Sequence, residues 1–291
     1  MQEVESQVQS VSEAALARSA QTLVANAIGS AFNEDPVIGP DLSRAISVVG
    51  SVVKRHGLLL QSTAAHALAA SGRFEVLVDA EIPIVDAANE LLLARNSIDD
   101  LARISIRADA AAERIVTMDL AVIDEEVGWA GIYEMKRGNG LVDGRTRRPI
   151  EHDLKAARLV LPSYLAKRGY KNITRVTAGV IDYYGSAGFH KDLKISRDDL
   201  DEHFQVPVRD SLDRVTSCLR AALLSEIPNL FSTVIKAINR ENGRKDVATS
   251  AVGLVPDTAP PEDAMARFIS NRPTGPGPRK PAAAGQMGGV A

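Results

Sequence analysis

Asp119, Glu134 and Lys136 are the residues of this chain whose types and spacing suit hydrolytic chemistry. They flank Asp124-Glu125-Glu126-Val127-Gly128-Trp129, a polar stretch between two apolar runs, so residues 114–136 read as a β-hairpin. With 125–128 as the turn, Asp124 faces Trp129, and counting back places Asp119 opposite Glu134. Opposed residues of an antiparallel pair project to one face with Cβ atoms roughly 5 Å apart. Lys136, two residues beyond Glu134, shares that face. Adjacent carboxylates repel unless a cation lies between them. Hard oxygen donors suit Mg²⁺ or Mn²⁺. Such an ion polarises a phosphodiester and acidifies a bound water, while a nearby ammonium orients the water or stabilises charge on phosphorus.

The acid-x-Lys tripeptide recurs in Asp153-Leu-Lys155 and Asp192-Leu-Lys194. The first falls in a predicted helix, where positions i and i+2 diverge. The second follows Asp182 and offers a rival hairpin, but its arm Phe189-His-Lys-Asp-Leu-Lys194 is too polar for a central strand.

The elements that must position the hairpin are legible on both sides of it. Val4, Val8, Val11 and Ala15 keep helical spacing, predicting a helix over 3–31. A second helix over 41–70 carries the stripe Leu42, Ile46, Val49, Val53, Leu60, Ala64 and Leu68, and Gly72 ends it. Alternation of Phe74, Val76 and Val78 predicts a strand from 73 that reaches toward Ile84. Residues 86–112 include a helical Ala-Ala-Asn-Glu-Leu-Leu-Leu run and no clear continuation. After strands over 115–123 and 129–135, a Gly- and Arg-rich loop covers 137–148, and Pro149 suits the first turn of a helix running to Lys167, with a kink expected at Pro162. A strand over 173–183 and helices over 198–240 follow. The Pro- and Gly-rich end loses periodicity from about Ala248 and reads as a disordered tail. The organisation expected is thus a helical extension over 1–40, an α/β core over 41–197, a helical region over 198–247 and a tail over 248–291.

Asp119 followed by Glu134-Met135-Lys136 resembles the signature of the PD-(D/E)xK nuclease superfamily, with Met118 in place of the proline. The family core, a restriction-endonuclease-like fold, runs helix, three strands, helix, strand, and the predicted order over 41–184 is similar. The resemblance implies an α/β nuclease with helical additions, hydrolysing nucleic acid with Mg²⁺ or Mn²⁺, DNA in the first place and RNA as the other candidate. It implies that Asp119, Glu134 and the Met135 carbonyl bind the metal, that Lys136 assists the attacking water, and that the protein is a homodimer. An accessory acid is often present on the first helix of the family. Helix 41–70 has none past Asp41, and Glu81 is the substitute expected here. Arg137, Arg145, Arg147 and Arg148 lie just past the site as candidate phosphate contacts.

Other groups read as ordinary structure. His152, Lys155 and Arg158 are expected on a helix surface, Tyr183 and Tyr184 in packing, and His56 and His66 at plain helix positions. Composition sets the frame: 45% hydrophobic and 24% charged residues allow a sizeable core, while 4% aromatics oblige it to be built mainly from Ala, Val, Leu and Ile. A net charge of −3 lends no support to a general nucleic-acid-binding module, though it leaves room for a local basic patch. The single cysteine, Cys218, excludes an internal disulfide or cysteine-based zinc site and suits a reducing cytoplasm. The N-terminus does not read as a signal peptide, and no uninterrupted apolar run of membrane-spanning length is present, so no membrane is expected as a partner. No Walker loop, HExxH or GxSxG motif occurs. The competing expectation is a catalytically inactive scaffold of the same fold that binds a partner protein through its helices.

Overall fold

The computed structural model describes residues 12–94, 96, 101, 104–108 and 112–251. Backbone contacts divide the chain into two units, Met1–Ile238 and Asn239–Ala291. Of the second, the described part, 239–251, is helical, so the helix runs a few residues past the predicted start of the tail. The first unit holds helices α1 (Glu13–Gly29) and α2 (Gly39–Ala70), strand β1 (Glu75–Val85), helix α3 (Asp86–Leu93), strands β2 (Ala112–Asp124) and β3 (Trp129–Lys136), helix α4 (Gly144–Lys167), strands β4 (Arg175–Asp182) and β5 (Lys194–Ser196), and helix α5 (Leu200–Phe204). The last helix, α6 (Val208–Ala251), starts here. The chain is therefore α/β, as expected.

The five strands lie in chain order, β1-β2-β3-β4-β5. β1, β2 and β3 are antiparallel neighbours, while β4 runs parallel to β3 and β5 parallel to β4. The parallel step from β3 to β4 needs a crossover, which α4 supplies. Two hydrophobic cores cover the two faces. The first packs α1, α2, α5 and the start of α6 against Leu120, Val122, Tyr133 and Met135. The second packs α3 and α4 against Ala121, Ile123, Ala130 and Ile132. A sheet covered on both faces explains why β2 and β3 are apolar at consecutive positions.

The buried stripe of α2 differs from the one expected. Ala45, Val48, Val52, Leu60, Ala64 and Leu68 are buried, whereas Ile46 and Val53 are 52% and 37% exposed. The Val48-Val49 and Val52-Val53 doublets satisfy a 3.6-residue period on either of two adjacent stripes, and docking against α1 selects one. In α1 the buried residues are Leu16, Ala20, Val24 and Ala27, while Val4, Val8 and Val11 of the expected stripe lie outside the described residues. Each such Leu or Val side chain contributes about 1.5–3 kcal/mol on burial. Aromatic residues are few but concentrated: Phe74, Trp129, Tyr133 and Phe204 meet within the first core.

α4 also differs. It begins at Gly144 under an Asp143 cap that accepts the Arg145 N–H, so Pro149 lies inside the helix rather than at its start, and Arg145, Arg147 and Arg148 sit in its first turns rather than in a loop. The helix runs through Pro162 to Lys167. In α6, the stretch Val208–Arg240 is by length and composition alone apolar enough to cross a membrane. Val208, Leu212, Val215 and Leu219 of that stretch are packed in the first core.

The loops leaving β3 and β4 are locked to each other. Asp182 is fully buried, and its carboxylate accepts the N–H groups of Gly185 and Ala187 at 3.0 Å each. Ser186 N–H donates to the Gly138 carbonyl and Val142 N–H to the Ala187 carbonyl. Gly138 has φ +72°, and a Cβ there would stand 1.6 Å from Asp182 Oδ1. Gly138→Ala is therefore expected to cost at least ~1–3 kcal/mol from backbone strain alone, with the clash added. Urea unfolding of that variant, read as a lowered midpoint at unchanged slope, checks this.

Candidate active site

The hairpin forms in the register counted from the sequence. Asp124 pairs with Trp129 and Leu120 with Tyr133. The buried Asp124 closes the turn, accepting from Val127 N–H at 3.2 Å and pairing with Arg73 at 2.6 Å. The next pair would be Asp119 with Glu134, and there the backbone ladder stops. Met135 N–H, which would have continued it, donates instead to the Asp119 carboxylate at 2.5 Å. In an extended strand a residue's N–H and C=O point to the same edge, so the Met135 carbonyl is directed at the same gap.

The ladder is also interrupted on the β1 side. Val78 pairs with Leu120 and Ala80 with Met118, but Asp79 and Asp119 between them drop out of the pairing. Asp79 has φ +51°, an uncommon backbone conformation for a residue with a side chain. Core membership slips by one residue at this point on both strands. Leu77 packs with the second core, as do Ala80, Ile82 and Ile84; Ala121 and Ile123 do so on β2, as do Met118 and Val116. Buried Gln61, from α2, spans the interruption, donating to Asp79 Oδ1 at 3.0 Å and to the Asp119 carbonyl at 3.1 Å. Asp79 and Gln61 are the site neighbours that sequence reasoning missed. A polar Asp amid the alternation of β1 was the one available sign, and Gln61 offered none.

Asp119, Glu134 and Lys136 are brought together. Lys136 Nζ contacts Glu134 Oε1 at 2.5 Å, with the two side chains 29% and 16% exposed. Burial raises the Asp119 pKa, opposed by the Met135 N–H and the Lys136 charge and helped by Asp79. Burial likewise raises that of Glu134, and the Asp119 charge adds to it. Glu81 is exposed and stands opposite Thr117; the acid on β1 whose charge reaches Asp119 is Asp79. Among the described residues, no three His, Cys, Asp or Glu side chains converge as a ready metal cluster. The donor set present is two part-buried carboxylates with a backbone carbonyl beside them, which fits a hard cation that keeps several waters.

The candidate phosphate contacts separate into two groups. Arg137 donates from Nε to His56 Nδ1 at 3.1 Å and lies over the Tyr184 ring. His56 is buried, with Nε2 3.0 Å from Thr216 Oγ1, and burial next to Arg137 lowers its pKa to about 4, so the ring is neutral and accepts from the guanidinium. Its position on α2 is thus a support for Arg137 rather than a plain helix position. His66 is exposed. Tyr183 is buried and donates to Asp213 at 2.8 Å, whereas Tyr184 is 43% exposed. Arg145, Arg147 and Arg148 gather at the N-terminal end of α4, where the helix dipole disfavours cations. Arg147 donates to the Gly188 carbonyl, and Arg145 and Arg148 are exposed.

The rival Asp182/Lys194 pair does meet, at 4.0 Å, but on parallel strands rather than in a hairpin. Lys194 donates to the Gly185 carbonyl, and Asp182 is occupied by backbone N–H groups, so this pair holds loops. Asp192 is not in β5, and its backbone N–H donates to His190 Nδ1 at 3.4 Å. Asp153 pairs with Arg114 on the other flank of α4.

Comparison of the chain with protein-family models, with curated proteins and with solved structures finds no match.

Both carboxylate pKa values are raised in the folded protein. Their contribution to stability is therefore present below the unfolded-chain values and is lost as pH rises through the folded-state values. A cation that neutralises the pair restores it. Mg²⁺ or Mn²⁺ is expected to raise the melting temperature at pH 7–8. The increment should fade on acidification at a pH above the ordinary carboxylate values, because protons compete for the same oxygens. Thermal melts with and without metal across that pH range check this, and a metal increment unchanged in Asp119→Asn contradicts the site.

Proposed function

We propose that Asp119, Glu134, the Met135 carbonyl and Lys136 form the active site of a metal-dependent phosphodiesterase acting on nucleic acid, with DNA as the expected substrate. The observation that carries the reading is the interrupted ladder. The Asp119 carboxylate and the Met135 carbonyl lie at that gap, Glu134 is near enough to feel the Asp119 charge, and the Lys136 ammonium stands on Glu134. The element order α2, β1, β2, β3, α4, β4, with α3 inserted between β1 and β2, supports it, since apart from that insertion it is the order that the PD-(D/E)xK resemblance implies for a restriction-endonuclease-like core.

Mg²⁺ or Mn²⁺ bound there would supply Lewis-acid polarisation of the phosphodiester and a more acidic water. The remaining work falls to the chain's own groups. The Met135 N–H fixes one Asp119 oxygen and leaves the other available. Gln61 holds the strand carrying Asp119 at its break in pairing. Lys136 balances Glu134 in the resting site and, once that carboxylate is engaged, is free to orient the attacking water or to meet charge on the non-bridging phosphate oxygens. Arg137, steadied by His56 and Tyr184 directly after Lys136, would contact a backbone phosphate.

A catalytically inactive scaffold remains the alternative reading, favoured by the apolar side chains that α6 leaves exposed, among them Leu224, at 56%, and Ile235, at 57%. Cleavage assays on linear, nicked, branched and single-stranded DNA, with Mg²⁺, Mn²⁺ or EDTA, separate the two. Metal-dependent cutting is expected, with Glu134→Gln and Lys136→Ala each reducing it by about 10²-fold or more while the circular dichroism spectrum is kept. No cutting of any substrate in either metal would leave the scaffold reading standing.

Gln61 touches neither metal nor substrate in this scheme. Its replacement by Ala is expected to lower activity about 10–100-fold by loosening Asp119. A steady-state comparison showing unchanged kcat would remove it from the support of the site.

A further inference from the structure

A cavity of about 560 Å³ lies between α4 and the beginning of β4, on the flank of α4 turned away from the Arg114–Asp153 pair. Arg148, His152, Lys155 and Arg158 form one wall, at helical spacings that place them on one side of α4. Val176 and Leu193 contribute apolar surface across from them. Two acids also line it. Glu151 accepts the His190 backbone N–H at 2.9 Å and lies 3.9 Å from Arg147, while Asp192 donates its backbone N–H to His190 Nδ1 at 3.4 Å.

The three permanent cations are less well matched. Arg158 is part-buried, and its recorded contact is a donation from Nε to the Val176 carbonyl at 3.2 Å. Among the described residues, neither Arg158 nor Lys155 nor Arg148 has a carboxylate partner. Burial holds the Arg158 guanidinium below the usual arginine value, so its charge carries a desolvation cost that no carboxylate among the described residues offsets. Three cations against two carboxylates leave the concave site net positive, and Lys155 with the Arg158 guanidinium one turn further on suits a phosphate dianion. The volume is that of an ordinary small-molecule site and is far larger than a phosphate alone, while the apolar wall suits a body that is not itself charged.

We propose that this cavity binds a nucleoside monophosphate, with the phosphate on Lys155 and Arg158 and the base against Val176 and Leu193. The site is distinct from the carboxylate pair and does not depend on the catalytic reading.

Isothermal titration calorimetry of the full chain in EDTA, with AMP, UMP, adenosine and inorganic phosphate, tests it. EDTA keeps phosphate from being held by metal at the carboxylates. At least one of the two nucleotides is expected to saturate below ~1 mM, and to bind about tenfold or more tighter than either adenosine or phosphate. Arg158→Gln and Lys155→Gln should each weaken it about tenfold or more, as for a lost charge-assisted hydrogen bond, and Glu134→Gln should leave it unchanged. Thermal melts confirm that the variants fold; Lys155→Gln removes no contact of the chain itself and serves if Arg158→Gln does not fold. The proposal is overturned if neither nucleotide saturates, if phosphate or adenosine alone binds as tightly, if the folded variants bind as wild type, or if Glu134→Gln abolishes binding.

Discussion

Pairing between β2 and β3 ends at Leu120 and Tyr133, one step before the acids meet, and much of the structure is arranged around that early stop. A backbone N–H left inside a sheet covered on both faces must find a partner. Met135 finds it in the Asp119 side chain rather than in the neighbouring strand. The exchange turns a strand residue into a fixed carboxylate and opens a gap without leaving a stranded donor. Asp79 and Asp119 leave the β1–β2 ladder at the same level, so the gap extends across three strands. Gln61 from α2 then bridges the broken pair.

The arrangement is costly in isolation. Two carboxylates are part-buried, the Asp119 charge disfavours ionisation of Glu134, and Asp79 sits in a left-handed backbone conformation beside Asp119. Strain and buried charge of this kind persist where the surrounding packing over-determines them. Here two full cores hold the strands from either face, one through α2 and the other through α4. Lys136 offsets part of the charge.

Two Asp–Lys pairs with similar sequence signatures end in opposite circumstances. Asp182 accepts two backbone N–H groups, has Lys194 at 4.0 Å, and is sealed from solvent by a loop whose glycine has no room for a side chain. Every oxygen there is committed to holding the ends of β3 and β4 together. Asp119 and Glu134 keep uncommitted oxygens at a gap. What separates the two settings is the count of donors around each acid, not residue type or spacing.

Much of the central site was legible without coordinates because it is local. Turn length sets register in a hairpin, so Asp124 opposite Trp129 and Asp119 level with Glu134 followed from counting residues. The order of helices and strands was legible for a similar reason, since 3.6-residue and two-residue periods are written into contiguous segments. Tertiary structure decided what depends on contacts distant in sequence. Valine doublets left two stripes of α2 equally apolar, and α1 chose between them. An Asp143 cap started α4 before Pro149 and carried three arginines into its first turns. Asp79 joined the site because β1 breaks its ladder opposite Asp119, and Gln61, His56 and the wall of Arg148, Lys155 and Arg158 gained their settings only when helices docked on the sheet. Sequence spacing dictates which neighbours share a strand or a helix face; which polar atoms are left to be satisfied, and by what, is decided by packing.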